Sequence, residues 1–438
     1  MISPSLFRQR HFLLFVGGSA GSWATVYVQS SVYAFLILAL TEGPFLFGSV
    51  GSVFGWTSMG GDLLPLLLAL PLGVLIDRVR RRSVLVAMSL LGAVLLASVP
   101  VATWLGVATW PHVALVGVII GMLQGTSIAH DAYLPTVVGR DRLVSANTVL
   151  TVAPMIVLPG AMLASDRLMG DSPAPVLLVA AVVLAVSALL LRGIDAPEEP
   201  SGPRSGLRRE LAEGVRFTLT HPVLRAIALC LVLPALFEEV IEAAIRETAQ
   251  AAILAHRIDP GWPALAGFAA SLAVLLPVVL LHRRIGVLRL AWLTALVTPP
   301  FALLSTLADT AWGALWYEIS MIVPRAGWAI VAVALLSHRQ VITPDRLLGR
   351  TGGTLLLLIG LAELAGDLLG ALAGPLIRGW GPPPLLALGV AGTLAAAVPL
   401  LRVRHLAEPA PSPTASSPGT TAPAHDIIGS VDPDRETR

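Results

Sequence analysis

Lysine is absent from this 438-residue chain: all 29 basic residues are arginine. Cysteine is nearly absent, with Cys230 alone, so neither an intrachain disulfide framework nor a thiolate metal cluster is available. No Walker loop and no HExxH sequence occurs, which argues against ATP-driven pumping and zinc-dependent hydrolysis. Charged residues make up only 13% of the chain, against about 25% in an ordinary soluble domain. Apolar residues fill the space, at 55% of the sequence with a mean hydropathy of +0.80. An aqueous fold cannot hide that much apolar surface, so the bilayer is the expected solvent. The pI near 9.1 and the net charge of +2 need no nucleic acid partner to explain them. An arginine-only basic set with much alanine and leucine points to a GC-rich bacterial genome.

Apolar runs of roughly 20 residues, each enough to cross a bilayer, fall near 11–40, 45–76, 83–105, 112–134, 143–165, 174–192, 222–248, 261–281, 287–308, 311–337, 351–377 and 383–401. The first is too long, and lacks the small-residue cleavage site, to be a removable signal peptide. Arginine placement supports this count. Segments assigned to the inside hold Arg8, Arg10, Arg78, Arg80, Arg81, Arg82, Arg140 and Arg142, then six between Arg192 and Arg225, and further ones from Arg283 to Arg404. Segments assigned to the outside hold only Arg167, Arg257 and Arg378. That alternation places both termini in the cytoplasm and the protein in the plasma membrane.

Residues 193–221 form the long polar segment between spans, with a Pro/Gly/Glu start and then Leu207 to Leu219, which could form an amphipathic helix lying on the inner membrane face. It divides the chain into a six-helix bundle (1–192) and a second one (222–406). Asp141-Arg142-Leu143 after the fourth span recurs as Asp345-Arg346-Leu347 after the tenth, at the equivalent place in each half, as parallel repeats would have it. The tail, 407–438, is rich in Pro, Ser, Thr and Ala and is expected to be disordered.

Between the second and third spans lies Gly73-Val-Leu-Ile-Asp77-Arg78-Val-Arg80-Arg81-Arg82-Ser-Val-Leu85. The arginines pin the end of the preceding span to the cytoplasmic face, and Asp77 can pair with them and with neighbouring helix ends. This stretch resembles the helix 2–3 loop of the major facilitator superfamily, G-x-x-x-D-R-x-x-R-R-x-x-L. Further stretches resemble the branch that holds macrolide-efflux proteins and the enterobactin exporter: Gly21-Ser22-Trp23, Leu134-Pro135, Ala146-Asn147, His221-Pro222, Leu348-Gly349-Arg350 and Ala373-Gly374-Pro375. The resemblance implies an all-α membrane protein of twelve transmembrane helices in two pseudo-repeated six-helix bundles. It also implies that Gly73, Asp77, Arg78, Arg81 and Arg82 form a conformational gate and that helices 1, 4, 7 and 10 line the substrate cavity. Trp23, Gln29, Gln124, His130, Asp131, Glu318 and Arg325 are then the polar or aromatic handles for substrate. Glu318 and Arg325, seven residues apart, could equally neutralise one another.

Ionisable groups at bilayer depth cost about 2.5–3.5 kcal/mol each on insertion scales, which marks them as functional candidates. The seventh span carries Glu238, Glu239, Glu242 and Arg246, of which Glu238, Glu242 and Arg246 share one helical stripe. With Asp62 they are the proton-coupling candidates. Two readings of residues 238–258 stand: a membrane-embedded carboxylate site, or a wet extracellular helix. Glu363 and Asp367 sit beside a Gly366–Gly370–Gly374 ridge that reads as helix packing. Gly17-Gly18-Ser19-Ala20-Gly21 matches G-x-S-x-G but lies inside a span rather than on a strand-turn-helix elbow, so no enzyme is expected. The expected function is proton-coupled export of a small amphipathic molecule by a monomer that needs no cofactor and no metal. The alternatives are facilitated uptake or export of a metabolite or siderophore, and a non-transporting sensor.

Overall fold

A computed structural model describes residues 6–40, 66–123, 127–169, 174–198, 206–254, 280–282, 284–310 and 312–404, and their regular structure is entirely helical. In the first half α1 (Arg10–Leu40), α2 (66–78), α3 (Arg81–Trp104), α4 (Trp110–Leu123), α5 (Ser127–Val138), α6 (Leu143–Met169) and α7 (Ala174–Arg192) follow one another. A polar link leads to α8 (Leu207–Thr220). The second half holds α9 (Pro222–Leu254), α10 (Val287–Val297), a 3-10 segment (Pro299–Leu307), α11 (Gly313–Ile342), α12 (Leu348–Trp380), α13 (Pro382–Ala395) and α14 (Ala397–Val403). By length and composition, six of the described helical stretches could cross a membrane. Asp62, Gln124 and the predicted eighth span (261–281, apart from residues 280 and 281) lie outside the described residues.

Each half has its own apolar interior. Phe12, Phe15, Tyr133, Leu143 and Leu191 pack together in the first, as do Leu96, Val99, Val113 and Leu177. In the second, Ile227, Cys230, Leu335 and Leu400 form one cluster and Val240, Ala244, Leu385 and Leu386 another. Many large apolar side chains instead face outward, among them Leu67, Val94, Leu115, Leu189, Leu368 and Leu372. A water-soluble fold does not scatter leucines over helix exteriors on this scale; a lipid-facing one does. The two ends of the molecule differ. Trp104, Trp110, Trp312 and Trp380 are exposed at helix termini on one end, as interfacial tryptophans are. Arg78 to Arg82, Arg140, Arg346 and Arg350 gather at the other.

Glycine fixes how closely the halves approach at the arginine-rich end. A Cβ on Gly73 would lie 2.5 Å from the carbonyl oxygen of Gly349, and one on Gly349 or Gly353 would meet the backbone of Gly73 or Ala69. Helix α2 therefore crosses the start of α12 backbone to backbone, which a larger residue would prevent. The second glycine ridge works within one half. A Cβ on Gly366 would come 2.8 Å from the Leu236 carbonyl and one on Gly370 3.2 Å from Glu239 Cβ, so the ridge seats α12 against α9.

Candidate functional site

The arginine-rich end is a continuous polar seam between the halves. Asp77, at the end of α2, accepts hydrogen bonds from the backbone N–H groups of Gly349 (2.8 Å) and Arg350 (2.9 Å). It thereby caps the N-terminus of a helix in the opposite half, where orphan N–H groups and the helix dipole favour an anion. Arg81 and Arg350 flank the carboxylate at 3.6 and 3.7 Å. Arg81 also donates to the carbonyls of Ala132 (2.8 Å) and Asp345 (2.5 Å), so one guanidinium touches both halves. Its own backbone N–H and that of Arg82 are capped by Glu198 at 2.6 and 3.2 Å.

Two further clusters complete the seam. Arg140 donates to the carbonyls of Gln340, Val341 and Thr343, at the end of α11, and to the Asp345 carboxylate. Deeper in, Asn147 of α6 donates to Ser337 (2.9 Å) and Gln340 (2.7 Å) of α11, and Gln340 donates to the Asp131 carbonyl (2.9 Å). Arg339, with only 3% of its side chain exposed, pairs with Asp131 at 3.2 Å. These contacts are hydrogen bonds and ion pairs, and they lie beside apolar packing across the halves, where Leu348 is buried among first-half residues and Val144 packs against Leu290, Ile330 and Val333.

The linker helix α8 belongs to the same seam. Its Glu210, only 1% exposed, accepts from Arg78 (3.0 Å) and Arg350 (2.9 Å), and Glu213 accepts from Arg346 (2.9 Å) and Arg350 (2.6 Å). The sequence allows this helix to lie on the inner membrane face; in the structure its carboxylates turn inward onto the arginines, and Leu207 and Leu219 are exposed on it.

In the second half, α9, α10, the 3-10 segment, α11 and α13 surround a cavity of about 730 Å³, a figure that includes space open to solvent. Glu238 and Glu242 of α9 and Arg325 of α11 reach it, beside an otherwise mostly apolar wall. Arg325 is ion-paired with Glu242 rather than with Glu318, so of the two readings of Glu318 and Arg325 their mutual neutralisation is not what the structure shows. One Glu318 carboxylate oxygen is buried without a hydrogen-bond partner among the described residues. Glu238 lies about 24 Å along α9 at ~1.5 Å per residue, half-buried at the cavity wall, while Glu239 turns to the glycine ridge of α12.

Other predicted residues are placed as follows. Trp23 is exposed on α1, and His130 packs its ring on Phe15 at 5.6 Å. Asp131 is committed to Arg339 at the seam. Gln29 and Arg246 lie on α1 and α9, with side chains outside the described residues, as Asp62 and Gln124 are altogether. Sequence reasoning missed Asn147, Arg339, Gln340, Glu210 and Glu213 as members of the seam. Asn147 stood in the quoted Ala146-Asn147 pair, and the repeated Asp-Arg-Leu triplets flank the places where Arg140 and Asp345 meet.

The backbone as a whole superposes on solved transporters. A bacterial homologue of the iron transporter ferroportin in an outward-facing state matches with a TM-score of 0.68 at 18% identity, covering 90% of this chain and 98% of that one. The chain has the major facilitator fold. The human organic anion transporter TETRAN (TM-score 0.66, 18% identity, 90% and 99% covered) superposes similarly. So does FucP, a major facilitator superfamily transporter in the outward conformation (0.65, 14%, 91% and 99%). No protein-family model matches the sequence, and no curated protein matches it. In a major facilitator fold the seam built on Asp77 is where the two halves meet at one end of the molecule, and the cavity lies inside the second half beside α9 and α11.

Proposed function

We propose that this protein is a proton-coupled secondary transporter that exports a small amphipathic molecule across the plasma membrane of a bacterium, in the manner of the macrolide-efflux and enterobactin-exporter branch. The arginine-rich end is the cytoplasmic one, both termini lie there, and the six-helix units 1–192 and 222–406 move against each other about the linker 193–221. The observation that carries this reading is the seam itself. Its hydrogen bonds and ion pairs are directional and replaceable by water, so each can break and re-form as the halves move. Fold likeness supports a carrier and leaves the cargo open, since the similar structures include iron, organic anion and sugar transporters. Export of an amphipathic molecule is favoured by the mostly apolar cavity with carboxylates at its wall.

In the cycle proposed, the closed seam leaves the interior facing outward. Proton binding at Glu238 from outside removes a charge from the cavity wall, and rearrangement then opens the cytoplasmic end, where the proton leaves and substrate enters. A proton entering down 100 mV supplies about 2.3 kcal/mol before any pH gradient, enough for roughly fiftyfold accumulation at ~1.4 kcal/mol per decade. The test is efflux from a sensitive host that expresses the protein, screened against a panel of antibiotics, siderophores and dyes. Export that stops when an uncoupler collapses the proton gradient, with ATP maintained, is the expected result. Export that persists under those conditions rules out proton coupling.

A further inference from the structure

The wall of the second-half cavity is unusually one-sided in its hydrogen-bonding character. Three hydroxyl groups line it, from Thr298, Ser320 and Thr393. Each gives its proton to a carbonyl of its own helical segment: Thr298 to Thr294 (2.9 Å), Ser320 to Tyr317 (2.6 Å) and Thr393 to Val390 (2.8 Å). A hydroxyl has one proton to donate, so what these three have left is lone pairs. Two prolines add to the effect. Pro234 in α9 and Pro324 in α11 both line the cavity. Neither has an N–H for the carbonyl four residues earlier, which belongs to Cys230 in one helix and Ser320 in the other, both on the same wall.

Charge runs the same way. Glu238 and Glu242 face Arg325, the one cation among the described lining residues, and Arg325 is paired with Glu242. Glu239 and Glu363 also lie within electrostatic reach of Glu238, so three carboxylates and one guanidinium surround it among the described residues. Beside the guanidinium N–H groups of Arg325, the side-chain donors on the wall among the described residues are the Trp328 indole N–H and the weak thiol of Cys230. An anionic ligand could reach Arg325 only beside the Glu238 and Glu242 carboxylates, and elsewhere on the wall it would meet lone pairs.

We infer that this cavity binds a lipophilic organic ammonium ion, with its N–H donors directed at Glu238 and the hydroxyl oxygens and its apolar body against Pro234, Trp328 and Val331. The inference rests on the transporter reading and narrows its substrate to protonated amines. Trp328 adds an aromatic face of the kind that attracts alkylammonium groups. Because the acceptors come from four elements of one half, the ligand is held within that half and travels with it when the halves move.

The test measures equilibrium binding of two radiolabelled lipophilic amines, propranolol and quinacrine, to the full-length protein in lipid nanodiscs near neutral pH. A neutral amide of the same carbon skeleton, a lipophilic carboxylate and Mn²⁺ serve as competitors. Saturable binding of the amines at one site, not displaced by the other three, is expected. Glu238→Gln should weaken it at least tenfold, which is about 1.4 kcal/mol. Thr393→Val, which keeps the side-chain shape and deletes an acceptor, should weaken it severalfold. Unchanged thermal unfolding midpoints establish that both variants are folded. Amine affinity unchanged in folded Glu238→Gln, no amine binding to the wild type, or displacement by the carboxylate or Mn²⁺ overturns the inference. Uncoupler-sensitive export of a neutral or anionic compound, in a protein that binds no amine, would refute the amine assignment and leave the transporter reading standing. Loss of all gradient-driven movement would refute that reading itself.

Discussion

Replacing Asp77 by asparagine is the most informative single change at the seam. The carboxylate accepts two backbone N–H groups at 2.8 and 2.9 Å, both in the first turn of α12. Asparagine has the same shape but one oxygen; its NH₂ group would face the second N–H, donor against donor. The change therefore removes at least one hydrogen bond to a charged acceptor, worth about 1.5–3 kcal/mol. It also removes the anion from the helix N-terminus, worth about 0.3–1 kcal/mol. The closed arrangement should lose about 2–4 kcal/mol, a roughly 30- to 700-fold shift toward the open one at ~1.4 kcal/mol per decade. Spin labels at Val79 and Val341, exposed on opposite halves at this end, would report the distance in a Cys230→Ala background. The wild type should show a dominant short distance, and Asp77→Asn a broad longer one with slow turnover at equal expression. Unchanged distances together with normal transport would show that the carboxylate does not hold the gate.

Three other variants separate the remaining parts. Glu238→Gln should abolish gradient-driven export while leaving passive exchange at saturating substrate, whereas Glu239→Gln, turned toward Gly370, should retain coupled export; equal loss in both would remove the distinction. Gly73→Ala places a methyl 2.5 Å from the Gly349 carbonyl and should cost the closed state about 1–3 kcal/mol, as overpacking does, seen as a lower thermal midpoint and a longer Val79–Val341 distance. Glu210→Ala leaves Arg78 without this acceptor and Arg350 with Glu213 and Asp77. Loss of a buried charged partner should cost about 1–3 kcal/mol, read as faster protease cleavage beside α8, and unchanged protection would mean that α8 is held by other contacts.

Part of the seam was legible in the sequence because those residues are neighbours along the chain. Gly73, Asp77 and the arginines fall within one short stretch, and steric and charge rules act on it directly. The partners were not legible. Asn147 meets Ser337 and Gln340 across 190 and 193 residues, and no local periodicity marks such a pair. Glu210 sits on a helix whose pattern fits a membrane surface equally well, so only the tertiary position of Arg78 and Arg350 decides which face turns inward. Spacing along α11 left Arg325 either a partner for Glu318 or a substrate handle, and the packing of α9 against α11 pairs it with Glu242. The acceptor character of the cavity wall depends on where three hydroxyl protons point, which the sequence does not encode position by position.

The most direct test of the account is to lock the seam. In a Cys230→Ala background, Asn147→Cys and Ser337→Cys place thiols where the two side chains are hydrogen-bonded across the halves. The doubly substituted protein, reconstituted in liposomes with the compound that the efflux panel identifies, should transport under a pH gradient when reduced, stop when the thiols are joined by oxidation or a short cross-linker, and resume when an oxidised pair is reduced again. Undiminished transport through the joined protein would contradict alternating access at this end and, with it, the central claim.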